Sequence, residues 1–231
     1  VVEALRHEGR VNRVYLAKDG KVRGRNEILD LAKASKTPFD FVPLAKLNEL
    51  VGDRDHQGVA AALSPVEYLT VDDFLGVCPS TAMVVVLDQV QNPKNVGMII
   101  RTAAGAGAAG VILPARGGAG VDPTVITASA GAAFHVPLVR CTNVAQTLRD
   151  LRDGGFWSYG LDGRADQGVF GVDWAVRTAV VLGNESEGLR PAVRKACDEL
   201  VAIPLAHGVE SLNVAVAAGV ALFQIKAQSG A

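Results

Sequence analysis

The sequence predicts an α/β protein: a parallel sheet covered by helices on both faces, preceded by a smaller α/β domain. Two observations carry that expectation. From residue 81 onward, short runs rich in valine, isoleucine and leucine alternate with helical stretches, as strands buried on both faces do. Three of these runs, ending at Leu87, Leu182 and Pro204, open into polar loops that lead into helices. Ligands of such sheets bind outside the carboxyl ends of the strands, so three loops of this kind point to one composite site.

Composition bounds the rest. The 231 residues suffice for one small and one medium domain, and a hydrophobic share of 49% supports a sizeable core rather than disorder. A formal charge of −1 gives no global basic field, so any RNA contact must come from local patches. Cys78, Cys141 and Cys197 are scattered, as are His7, His56, His135 and His207. Neither set has paired ligand spacing, so neither a disulfide framework nor a metal site is expected, and a reducing, cytoplasmic setting fits. No apolar run reaches the roughly 18 residues of a membrane span. No signal peptide is visible, and the chain opens without Met inside an element, so its beginning is expected to lie upstream.

Residues 1–70 are expected to form the smaller domain. Alternation over 11–17 reads as a strand, followed by a helix over 26–35, a strand over 39–42, a helix over 45–51 and a strand over 58–63. Arg10, Arg13, Lys18, Lys21, Arg23 and Arg25 face one acid, Asp19. This cluster reads equally as a solvated turn or as an RNA-phosphate contact through Arg10, Arg13, Lys21, Arg23 and Arg25. His56, in a charged loop, reads as structural or solvated rather than catalytic. Residues 71–80 are mixed and contain Pro79 and Ser80, and are taken as a linker.

The second domain then occupies 81–231. Its expected elements are a strand over 84–87, a helix over 96–106, a strand over 111–113, a helix over 122–130 and a strand over 136–139. A helix over 144–153, strands over 157–161 and 179–182, a helix from Pro191, a strand over 200–204 and a helix over 211–228 complete it. Gly105, Gly107 and Gly110 satisfy GxGxxG, but the pattern closes a helix and leads into a strand. A dinucleotide site needs the reverse order, so these glycines read as a helix C-cap and turn.

The chemistry is expected in the three loops. In the first, Asn92 or Asn95 can cap the following helix and Gly97 permits close approach. Arg101 follows on a mostly apolar helix and needs a carboxylate or phosphate partner. Glu185, in the second loop with Gly183 and Asn184, is the natural carboxylate. In the third loop Ser211 caps the last helix, and Ser211 and Asn213 at that terminus also suit a phosphate.

Order and spacing say more than each loop alone. Asn92-Pro93, Asn95, Gly97 and Arg101, then Gly183, Glu185 and Gly188, then Ile203-Pro204 and Ser211-Leu212-Asn213 together resemble the SpoU family of RNA ribose 2′-O-methyltransferases within the SPOUT superfamily. The resemblance runs from Thr81 to the C-terminus and includes the segment Ser129 to Leu138. The first domain, with its loop His56 to Ala61, is similar to the ribosomal-protein-like RNA-binding domain of bacterial 23S rRNA guanosine methylases. Two departures stand out: Leu205-Ala206-His207 replaces a methionine-containing segment, and Ala215 stands where serine is frequent.

The resemblance implies a C-terminal trefoil knot, against sequence rules that would exclude threading. It implies S-adenosylmethionine as cofactor, contacted by Gly183, Ile203 and Leu212, with Leu182, Asn184, Pro204, Leu205 and Ser211 lining its pocket. It implies a homodimer, with the site near the interface and either Arg101 or the RNA-binding platform serving across subunits. The implied catalytic set is Arg101, Asn95, Glu185, Ser211 and Asn213. The family's arginine is proposed as general base, but a guanidinium is a poor base near neutrality. Arg101 is therefore expected to hold phosphate and polarise the hydroxyl, the proton leaving through phosphate or water. The substrate favoured is a guanosine ribose of 23S rRNA. The alternatives are the same chemistry on tRNA or another rRNA nucleotide, and a catalytically silent RNA-binding protein. The intact motif residues oppose the silent reading, and the misplaced glycines oppose an NAD-dependent oxidoreductase.

Overall fold

A computed structural model describes residues 1–7, 9–19, 22–52 and 56–229, in two units, Val1–Val66 and Glu67–Ala231. The first unit runs α1 (Val2–Leu5), β1 (Val11–Ala17), α2 (Arg25–Ala34), β2 (Phe39–Val42), α3 (Leu44–Val51) and β3 (Val59–Leu63). β1 is central, parallel to β2 and antiparallel to β3. Alternation along β1 supplies two cores. Val14 and Leu16 are fully buried on one face, as are Ile28 and Ala32 of α2. Tyr15 and Ala17 turn to the other, where they pack with Leu47 of α3 and Ala60 of β3.

The second unit runs α4 (Val71–Val77), β4 (Ala82–Leu87), α5 (Pro93–Ala106), β5 (Gly110–Pro114), α6 (Pro123–Ala128), β6 (Leu138–Cys141), α7 (Val144–Asp153) and β7 (Trp157–Leu161). It ends with β8 (Arg177–Leu182), α8 (Pro191–Ala196), β9 (Glu199–Val201) and α9 (Val214–Ser229). The strands form one parallel sheet in the order β6-β5-β4-β8-β7-β9. The chain builds outward from β4 through β5 to β6, then crosses to the far side of β4. Strand order therefore reverses between β4 and β8, and the crevice above their carboxyl ends is the topological switch point of the sheet.

Val84, Val86, Ala179 and Val181 face a core shared with Phe74 of α4, Leu148 and Leu151 of α7 and Val193 of α8. Val85, Leu87, Val180 and Leu182, one residue out of phase, are equally buried on the opposite face, where α5 packs against α6 and α9. Burial on both faces is why these strands read as continuous apolar runs.

Three expectations need correction. Residues 71–80, taken as a linker, contain α4, whose Phe74 is 1% exposed, and Leu69 bridges Val139 of β6. Thr70 and Asp73 cap α4 reciprocally, so a Thr-x-x-Asp before Phe74-Leu75 was its signal. The strand expected over 136–139 is Leu138–Cys141, since residues 132–134 form a 3-10 turn and Pro137 has no N–H for the ladder. The last strand stops at Val201, and α9 begins three residues after Ser211. Gly107, at φ 85°, ends α5 in the left-handed conformation, as the cap reading expects.

Candidate active site

The loop after β4 feeds directly into α5. Asn92 is extended and its side-chain oxygen accepts from Lys94 N at 2.9 Å, while Pro93 takes the first helical position. Glu185, from the loop after β8, lies against the same helix end. One carboxylate oxygen accepts from Asn92 N and Asn95 Nδ2, both at 3.0 Å, and the other accepts from Gln91 N at 3.1 Å. Burial pushes the Glu185 carboxyl up. The hydrogen bonds from Asn95, Asn92 and neighbouring amides outweigh that and hold it below its ordinary value. The N-terminal end of the α5 dipole favours the same negative charge.

The third loop joins through Asn213. Its Nδ2 donates to Asn95 Oδ1 at 3.0 Å, while its own Oδ1 accepts from Ala215 N at 2.9 Å at the start of α9. Asn95 is 5% exposed and has both ends of its carboxamide engaged. Because an ionised carboxylate only accepts, the Asn95 amide must face Glu185 and its oxygen must face Asn213. These side chains border an open cleft of about 740 Å³, lined also by Gln91, Pro93, Ser211, Leu212 and Val214. Asn213 rather than Ser211 caps α9, and Ser211 faces the cleft with no hydrogen bond among the described residues.

Four of the five expected catalytic residues thus converge, and Arg101 does not. The expected Glu185–Arg101 pair is absent, because the carboxylate is taken by the α5 N-terminus. Arg101 lies six residues beyond Asn95, about 9 Å along the helix and two thirds of a turn past it. It is exposed, does not line the cleft, and its side chain makes no hydrogen bond or ion pair among the described residues.

Of the residues expected to hold the cofactor, Ser211 and Leu212 line the cleft. Leu182 is 1% exposed within the sheet. A Cβ on Gly183 would run into the backbone of Gly188 and Leu189, so glycine is demanded there by the loop folding back on itself. Asn184 organises that turn: Nδ2 donates to Gln89 O at 3.0 Å, and Oδ1 accepts from Ser186 N and Glu187 N. Ile203, Pro204 and Leu205 belong to the segment between β9 and α9. Among the described residues, the backbone groups of Ile203, Leu205 and Leu212 have no hydrogen-bond partner within the chain. Free amides and carbonyls beside an apolar side chain suit an adenine-bearing cofactor, whose ring needs an apolar slot with backbone donors and acceptors.

Gly97 likewise serves packing. A Cβ there would lie 2.5 Å from Ala128 Cβ and 2.7 Å from Val125 O, so the glycine lets α6 approach α5. Asp88 and Arg190 escaped the sequence reading. Asp88 is fully buried at the end of β4, and it accepts from Arg190 Nε at 2.7 Å and Arg190 N at 2.9 Å. The pair ties the far end of the Glu185 loop to the loop after β4. A carboxylate directly following a buried strand, matched by an arginine before Pro191, was the available signal.

In the first unit the cationic cluster divides. Arg13 pairs with Asp40 at 2.6 Å, and the Arg25 guanidinium lies 4.9 Å from the centre of the Phe41 ring. Arg23 is exposed, Arg10 is half-buried, and Lys21 lies outside the described residues.

Comparison with known proteins gives this geometry its context. Residues 82–223 match the SpoU rRNA Methylase family, and residues 1–69 match the family described as RNA 2′-O ribose methyltransferase substrate binding. The chain is 36% identical to the 23S rRNA (guanosine-2′-O-)-methyltransferase RlmB of Ralstonia nicotianae, over 97% of this chain and 91% of that one. It is 38% identical to an uncharacterized tRNA/rRNA methyltransferase of Mycobacterium avium, over 99% of this chain and 75% of that one. The crystal structure of the SpoU methyltransferase AviRb from Streptomyces viridochromogenes in complex with AdoMet superposes with a TM-score of 0.80. It shares 28% identity, covering 98% of this chain and 86% of that one. A strand-loop-helix site at a switch point, together with two adjoining family matches, places this chain in the SpoU family of S-adenosylmethionine-dependent RNA 2′-O-methyltransferases.

Proposed function

We propose that the protein methylates the 2′-hydroxyl of a guanosine ribose in 23S rRNA, in the cytoplasm, with residues 1–70 holding the RNA. The observation that carries this reading is the Glu185–Asn95–Asn213 chain, which locks three distant loops around one cleft. The 36% identity to a 23S rRNA guanosine methyltransferase over nearly the whole chain supports the choice of substrate.

S-adenosylmethionine supplies an electrophilic methyl group on a sulfonium. The chain's part is to align a ribose oxygen with it and to manage one proton, and alignment of this kind supplies much of the rate. Ile203, Leu205, Leu212 and Ser211 hold the cofactor through backbone and hydroxyl groups, beside the loop after β8 whose turn Gly183 and Asn184 maintain. Asn95, Glu185 and Asn213 keep that loop on α5. Arg101 holds an RNA phosphate and polarises the hydroxyl, whose proton leaves through phosphate or water. Arg10, Arg13, Lys21, Arg23 and Arg25 take backbone phosphates in the first domain.

Arg101 acts in a partner's site within a homodimer. In support, α9 is apolar on every side from Val214 to Phe223, and its Val216 and Phe223 are 53% and 50% exposed. Met98, three residues before Arg101, is 41% exposed on α5, against which α9 packs. A helix with no polar face needs a second apolar neighbour. The segment between Val201 and Val214 threads the knot in this reading, and its bond from Asn213 to α5 fits that path.

Mapping 2′-O-methylation across total RNA in a strain lacking the gene tests the assignment. The expected result is loss of one 23S guanosine signal. Loss of a tRNA signal alone would overturn it.

A further inference from the structure

The cations of the first unit separate into neutralised and unneutralised groups. Arg13 is tied to Asp40, and Arg6 to Glu3 and Glu27. Lys18, Arg23 and Arg25 make no ion pair among the described residues. Lys18 and Arg25 border one place in the fold, and Arg23 precedes Arg25 by two residues. Lys18 N donates to Val42 O at 2.9 Å, so the segment after β1 runs past the carboxyl end of β2. Phe41 lies there, one residue from that bond.

Phe41 is 38% exposed and has a guanidinium over its ring, whereas Phe156, which also has a guanidinium over its ring, is 1% exposed. The Arg25 guanidinium carbon lies 4.9 Å from the Phe41 ring centre, and the Phe39 ring meets that ring at 6.0 Å and 78°. The aromatic ring therefore meets an edge contact and a cation, while the residue as a whole remains exposed.

We propose that Phe41 and Arg25 form a stacking site for an unpaired RNA base, with Lys18 and Arg23 taking the flanking phosphates. This rests on the reading of the first domain as RNA-holding, and goes beyond phosphate contacts. Proteins that read RNA stack splayed-out bases on aromatic rings and guanidinium planes, while neighbouring cations hold the strand. Base-paired A-form RNA keeps its bases stacked internally, so this site takes a loop or bulge nucleotide and leaves a duplex to the cations alone.

Fluorescence anisotropy of the full chain against a labelled stem-loop RNA, and against the same stem closed as a duplex, reads the effect. Phe41→Leu is expected to weaken stem-loop binding roughly tenfold while duplex binding and the salt slope stay unchanged, and Phe41→Tyr restores it. Arg25→Ala is expected to weaken both and to make the salt dependence shallower. Stem-loop binding by Phe41→Leu at wild-type strength, or equal loss on both RNAs, overturns the proposal. Ultraviolet crosslinking of the wild type to RNA carrying 5-iodouridine in the loop covers the case of a variant that does not fold. The adduct is expected on Phe41, and an adduct map without it is a refutation. Methyl transfer to ribosomal RNA by the same wild-type preparation separates the two layers. If transfer is present and the stacking effects are absent, only this site falls; if no RNA is methylated, the underlying reading falls.

Discussion

Asn213 donates its carboxamide N–H to Asn95 Oδ1 at 3.0 Å, joining residues 118 positions apart. The bond determines which way the Asn95 amide points, and Glu185 enforces the same orientation from the other side. One buried carboxamide therefore registers three loops against each other, and its polarity cannot be inverted without breaking both contacts.

Asn95→Asp conserves shape but removes the donor and sets a second carboxylate about 3 Å from Glu185, where both cannot ionise freely. Methyl transfer is expected to fall on the order of a hundredfold, the cost of a misplacement near an ångström. Adding Glu185→Gln to that variant reverses the polarity of the pair and is expected to recover part of the loss. Single-turnover rates of the two single variants and the double variant check this, and simple additivity would refute it.

Glu185 also gives the fold an acid limb. Its carboxyl titrates below the ordinary value of 4.5 because Asn95 and two backbone amides donate to it against the effect of burial. The stability it contributes is complete above the unfolded value and is lost as pH falls through the lower, folded one. Glu185→Gln is therefore expected to flatten the decline in urea midpoint between about pH 5 and pH 3. An unaltered decline would assign the acid limb to other carboxylates.

Much of this was legible in the sequence, for a physical reason. Buried parallel strands leave long apolar runs, and the loops at their carboxyl ends must carry polar side chains that satisfy helix termini. Asn95, Glu185 and Asn213 stood out on those grounds. Their mutual partners did not, because Glu185 can serve either a guanidinium or a helix end, and only coordinates show that the α5 amides win. The Asp88–Arg190 pair is 102 positions apart and carries no local periodicity. Gly183 and Gly97 were recognisable as constrained, but the cause, backbone and neighbouring-helix contacts rather than ligand approach, depends on packing that no local pattern encodes.

The Asp88–Arg190 pair is expected to respond unequally to its two truncations. Arg190→Ala leaves a carboxylate with no solvent exposure and no ionic partner, a loss of about 3–5 kcal/mol. Asp88→Ala leaves an arginine whose side chain is already 41% exposed and can turn outward, so the cost falls to about 1–3 kcal/mol. Urea unfolding of both variants measures the difference. Equal losses would show that the buried charge is compensated by something other than Arg190.

Gly97→Ala opposes two known quantities. Alanine improves intrinsic helix propensity by about 1 kcal/mol over glycine. Its Cβ would lie 2.7 Å from Val125 O and 2.9 Å from Ser129 N, both backbone atoms of the neighbouring α6 region that cannot rotate away. Overpacking of this kind costs about 1–3 kcal/mol, so the net effect is destabilising. A raised thermal midpoint in the variant would mean that α6 shifts freely.

Arg101 carries the sharpest prediction, since it is exposed and its side chain has no partner among the described residues. Arg101→Ala is expected to abolish methyl transfer while calorimetric S-adenosylmethionine affinity stays unchanged, because no described contact links it to the cleft. Full turnover would remove it from the chemistry altogether. Which subunit it serves follows from mixing variants. In the proposed homodimer, pairing one Arg101→Ala chain with one Asn95→Ala chain would leave an intact cleft in the first and an intact guanidinium in the second. If Arg101 reaches across, that dimer regains one working site of two, whereas neither homodimer works. Silence in the mixed dimer would return Arg101 to its own subunit and require a rearrangement of α5 that brings residue 101 towards Asn95.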